Sequence, residues 1–104
     1  MDKVCVVITT YESEEKAADA AKNMVENGLA ACATFFKVRS IYEWKGKTED
    51  ATEYLVIYKT LSTKVEHLKS EVLKMHSYEV PELLEINVDK VGENYLKWMS
   101  DSLI

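Results

Sequence analysis

The sequence predicts an α+β domain in the order strand, helix, strand, strand, helix, strand: an antiparallel sheet backed by helices, with one more helix at the C-terminus. Three observations carry that prediction. A β-branched run, Val4-Cys5-Val6-Val7-Ile8, precedes a helix with a marked start; an alternating ribbon runs from Ala30 to Thr60; and a second helical stripe gives way to Leu84, Ile86 and Val88 in alternation. With 104 residues, 47% of them hydrophobic and 30% charged, a single domain over residues 1–104 is expected.

The first strand, Lys3 to Thr10, is apolar without alternation, which suits a central position covered on both faces. Cys5 within it reads as a small buried hydrophobe. Ser13 is placed to cap the next helix, with Glu14 and Glu15 in the first turn, where the helix dipole favours negative charge. Ala17, Ala21, Met24 and Val25 repeat at helical spacing, and Gly28 stands where a left-handed residue ends the helix. Leu29-Ala30-Ala31-Cys32-Ala33 leads onward through small side chains, among which Cys32 reads as core.

The ribbon that follows is a long hairpin. Phe36, Val38, Ser40, Tyr42 and Trp44 share one face of its first arm, and in the second arm Tyr54, Val56 and Tyr58 alternate with Leu55 and Ile57. Lys45-Gly46-Lys47 supplies the turn. An arm of about 14 residues runs ~45 Å, whereas a domain of this size has a radius of gyration near ~13 Å. The tip must overhang, and an overhanging ribbon with apolar groups on both faces predicts an oligomer built through it.

Thr63 and Glu66 have the spacing of a capping box for the second helix, whose apolar stripe is Val65, Leu68, Val72 and Met75. His67 falls on its solvent side. His76-Ser77-Tyr78-Glu79-Val80-Pro81-Glu82 is an ordered connector, with Pro81 holding Val80 extended. Leu84, Ile86 and Val88 then predict a half-buried strand, and Asn94 is placed to cap a short helix carrying Tyr95, Leu96, Trp98 and Met99. With right-handed crossovers this order gives a ferredoxin-like βαββαβ sandwich.

Composition narrows the function. The net charge is -5 and Arg39 is the only arginine, so no basic stripe tracks a phosphate backbone and nucleic acid is not an expected partner. The N-terminal residues lack signal-peptide features and no apolar run reaches the ~18 residues of a membrane span, so the expectation is a cytoplasmic protein with no membrane partner. Cys5 and Cys32 lack the spacing of a disulfide framework or a zinc ribbon.

Gly28-Leu29-Ala30-Ala31-Cys32, Ser40-Ile41-Tyr42, Trp44-Lys45-Gly46-Lys47, Lys59-Thr60, His76 through Glu82 and Tyr95-Leu96-Lys97-Trp98 fall in the order of the CutA family, the divalent cation tolerance proteins, which the chain resembles over nearly its whole length. The resemblance implies a homotrimer built through the long hairpins, architecture like that of the PII signalling proteins, and a cytoplasmic role in tolerance of copper and other divalent ions. It brings no established reaction. Two departures stand out. Ser77 replaces the usual proline of the connector, which predicts a looser turn, and Thr9 and Met75 stand where some relatives carry a cysteine and a second histidine.

The expected metal residues are His76, Cys32 and Glu79, with copper or another divalent cation as ligand and no cofactor required. Against this, His76 and Tyr78 can equally serve to hydrogen-bond the connector. The other function considered is a PII-like small-ligand or interaction module, with Tyr42, Trp44, Tyr78, Glu79 and Glu82 at the subunit clefts. His76, Tyr78 and Glu79 suffice for acid-base chemistry only if they meet in a pocket, and no enzyme is expected.

Overall fold

The computed structural model describes residues 2–103. β1 (Val4–Tyr11), α1 (Glu14–Glu26), β2 (Cys32–Trp44), β3 (Lys47–Leu61), α2 (Val65–Met75), β4 (Leu84–Asn87) and α3 (Glu93–Ser102) follow in the predicted order. The strands form one antiparallel sheet, β2-β3-β1-β4, with β1 between β3 and β4. This is the ferredoxin-like sandwich.

Local chemistry sets several boundaries. Ser13 accepts a hydrogen bond from the Lys16 amide and starts α1, and Gly28, at φ 69°, turns the chain out of it. Lys45 and Gly46 take φ of 50° and 80°, so a two-residue turn with both residues left-handed sets Trp44 opposite Lys47. Two other starts differ from expectation. Thr63 does not cap α2; Lys64 takes that position without a side-chain cap, because its amide already bonds Leu61 O at 2.9 Å in a turn continuing from β3. Gly92, not Asn94, precedes α3, since Leu96 N reaches Gly92 O at 2.9 Å and the helix begins before Asn94.

The hairpin overhangs as its length requires. β1 ends at the Tyr11–Tyr54 pair, yet pairing of β2 with β3 continues from Val38–Glu53 to Trp44–Lys47, a further ~20 Å at ~3.3 Å per residue. The molecule measures 45 × 25 × 21 Å.

Register assigns the faces. Val7, Tyr11, Val56 and Tyr58 point to α1 and α2, where they pack with Ala17, Met24, Leu68 and Val72 in the main core. Val25 and Met75 lie outside it, 40% and 48% exposed, each in the last turn of its helix. The opposite face carries Val6, Ile8, Phe36, Leu55, Ile57, Leu84 and Ile86. α3 closes one end of that face, burying Val4 and Leu61 beneath Met99 and Leu103. The rest is open in a single chain.

β1 is therefore covered on one face rather than two. β4 is not half-buried either: Leu84 and Ile86 are 52% and 49% exposed. Its polar side is the one turned toward the helices, where Lys69 of α2 meets Glu85 at 2.6 Å.

Candidate functional site

The connector after α2 crosses the C-terminal end of β1 and closes against the overhanging hairpin. His76 leaves the helix in an extended conformation and lays its ring on Tyr11, with centroids 4.6 Å apart and planes 10° apart. Its Nε2 donates to Thr10 O at 2.8 Å and lies 3.3 Å from Thr9 Oγ1; its Nδ1 accepts from the Tyr78 amide at 3.1 Å. Both nitrogens are thus engaged, in the neutral tautomer that carries its proton on Nε2. Burial holds the imidazole below its ordinary pKa, outweighing the opposing pull of Thr10 O and the nearby carboxylates.

Ser77 does not loosen the turn. Its hydroxyl donates to Glu12 at 3.0 Å, and Tyr78 Oη donates to Glu53 Oε2 at 2.7 Å, so the connector is fastened on both sides of the sheet. Burial, and then the bond to Glu53, raise the Tyr78 phenol pKa.

Between connector and hairpin lies a cavity of about 610 Å³. Tyr42, Trp44, Tyr78, Glu79 and Glu82 all line it. Lys45 reaches over its rim, 3.7 Å from Glu79 and 5.4 Å from the Trp44 ring centroid. Sequence reasoning missed Glu53, which is 7% exposed and also lines the cavity. The available signal was a carboxylate sharing a strand face with Leu55 and Ile57, where an apolar residue is the rule.

The expected metal residues do not come together. Cys32 pairs with Lys59 on the open face, whereas His76 packs on the helix side, three to four residues further along β3, ~10–13 Å at ~3.3 Å per residue. Glu79 is turned to Lys45. Among the described residues no three His, Cys, Asp or Glu side chains are grouped to hold an ion. At His76 the neighbouring side chain is the Thr9 hydroxyl, a poor donor for copper, and neither ring nitrogen has a free lone pair. The residues of one chain thus do not fit the expected copper set, nor do His76, Tyr78 and Glu79 form a proton-transfer array. His67 lies on the surface, 3.8 Å from Glu71.

A family model described as CutA1 divalent ion tolerance protein matches residues 5–102. The chain is 34% identical to the divalent-cation tolerance protein CutA of Thermotoga maritima, over 95% of this chain and 98% of that one. It is 42% identical to a protein CutA homolog of Xenopus laevis, over 88% of this chain and 62% of that longer one. The solved structure of the periplasmic divalent cation tolerance protein CutA from Archaeoglobus fulgidus superposes with a TM-score of 0.93 at 35% identity, covering 97% of this chain and 99% of that one. No helix among the described residues is long and apolar enough to cross a membrane.

Proposed function

Because the chain belongs to the CutA1 divalent ion tolerance family, we propose that it acts in the cytoplasm as a homotrimer in the response to divalent cations, copper among them. The observation that supports assembly is the open sheet face. Phe36, Leu84 and Ile86 are 51%, 52% and 49% exposed there, beside the half-buried Val6, Ile8, Leu55 and Ile57. An apolar surface of this kind calls for cover, and a hairpin that outreaches its own domain can supply it to a sibling chain. The trimer rather than the dimer comes from the family resemblance.

The ion is cargo in this reading, and no cofactor is needed for the fold. With His76 closed by two hydrogen bonds, the contact falls on Cys32, a free, half-buried thiol on the open face with a soft donor suited to copper. Copper titration of the wild type, Cys32→Ser and His76→Ala tests the assignment. Weaker binding by Cys32→Ser alone is expected; weakening by His76→Ala alone contradicts it. The Archaeoglobus relative is described as periplasmic, so fractionation that finds this protein outside the cytoplasm overturns the compartment.

A second reading, a PII-like small-ligand module, is favoured by the cavity that gathers Tyr42, Trp44, Tyr78, Glu79 and Glu82. A thermal-shift series over small cationic, neutral and anionic ligands tests it. A flat response to all three classes contradicts it.

A further inference from the structure

The cavity between connector and hairpin carries negative charge that this chain leaves unanswered. Glu53, Glu79 and Glu82 line it, and among the described residues no lysine, arginine or histidine does. Glu79, at the exposed rim, has Lys45 beside it. Glu53 has no such neighbour. It is 7% exposed, the Tyr78 hydroxyl is the only side-chain or amide donor that the described residues give it, and none of them brings a cation within ion-pair distance. A carboxylate withdrawn this far from water is costly to keep charged unless a donor or a countercharge compensates it. Glu82 stands in the same field: burial first, and then the charge of Glu53, lift its pKa above the usual carboxylate range.

The remaining walls suit a particular kind of cation. Tyr42, Trp44 and Tyr78 give the cavity aromatic surface, which attracts an ammonium group and shelters the hydrocarbon attached to it. Lys45 shows this at the rim, where one ammonium lies 5.4 Å from the Trp44 ring centroid and 3.7 Å from the Glu79 carboxylate. A bare divalent metal ion fits less well, since the described residues offer no grouped set of three ligands. An anion would meet three carboxylates and, at the rim alone, the one ammonium that Glu79 and Trp44 already engage.

We propose that this cavity binds a small organic amine in its ammonium form, with the N–H donors on Glu53 and Glu82 and a short alkyl chain against Tyr42 and Trp44. The proposal rests on the small-ligand reading and adds the chemical class. A volume of about 610 Å³ lies within the ~300–1,000 Å³ of small-molecule sites and accommodates such a molecule.

Three probes of equal chain length separate charge from shape: putrescine, butanediol and succinate. They are titrated into the full chain carrying Trp98→Phe, which leaves Trp44 as the only indole, and Trp44 fluorescence is followed. Putrescine should saturate, with butanediol and succinate at least about tenfold weaker. Glu53→Gln should lower putrescine affinity by about tenfold or more, as should Glu82→Gln if the first variant folds poorly. Glu93→Gln on α3, remote from the cavity, should leave it unchanged. Butanediol or succinate binding as tightly as putrescine overturns the amine class while the pocket stands. Equal loss in Glu93→Gln reduces the binding to general attraction by an acidic protein and overturns the site. If none of the probes changes Trp44, the class and the small-ligand reading fall together.

Discussion

Tyr78 Oη donates to Glu53 Oε2 across 2.7 Å, joining the connector to the hairpin at the first pair beyond the end of β1. Nothing else in the described residues hydrogen-bonds that buried carboxylate. Tyr78→Phe should therefore destabilise the protein by about 1.5–3 kcal/mol, the usual worth of a hydrogen bond to a charged group. In Glu53→Gln the same change should cost less, because the acceptor is then neutral. Chemical denaturation of the four proteins of this double-mutant cycle measures the coupling; a coupling near zero would show the bond to be incidental.

His76 makes stability depend on pH. Its pKa is lowered in the folded protein by burial, so the unfolded chain takes up the proton first as pH falls below the ordinary value of 6.5. Stability carried by the neutral ring is present above pH 6.5 and is lost progressively below it, toward the lowered folded pKa. Melting temperatures of wild type and His76→Gln from pH 7.5 to 5 should converge as the pH falls. Parallel curves would contradict this.

Leu68 is fully buried in the main core, beside Val7, Val56 and Met24. Leu68→Ala should cost about 2–5 kcal/mol through lost burial and the cavity left behind. Leu73, 49% exposed on the same helix, should lose under about 1 kcal/mol on the same change. Denaturant midpoints at matched protein concentration compare them; similar losses would place Leu73 under a sibling subunit.

Ile86 marks the open face without touching the main core. Ile86→Asp should leave the secondary structure intact while splitting the assembly, because a desolvated, unpaired carboxylate would sit where apolar surfaces meet. Circular dichroism paired with size-exclusion chromatography shows both effects. An unchanged elution volume would remove β4 from the interface.

Much of the fold was legible because its signals are local. Ser13 with its acidic first turn, the left-handed Gly28 and the glycine turn at the hairpin tip each act within a few residues. Thr63 and Asn94 have the residue types of caps for α2 and α3, but backbone turns that continue from a strand or from Gly92 take over the entry. In the site, the hairpin alternation places Tyr42 and Trp44 on one face. Glu53 was not legible, since its role depends on which pair of the hairpin the connector crosses. Nor could the sequence show that Cys32 and His76 lie on opposite faces: that follows from the register between β2, β3 and β1. Ser77 alone predicts a looser connector, but its hydroxyl finds Glu12, the residue just past the C-terminal end of β1.

Sibling chains covering the open sheet face can be counted by sedimentation equilibrium at micromolar concentration. A single species of about 36 kDa is expected, three times the 11.9 kDa chain. A mass of 11.9 kDa across that concentration range would contradict it.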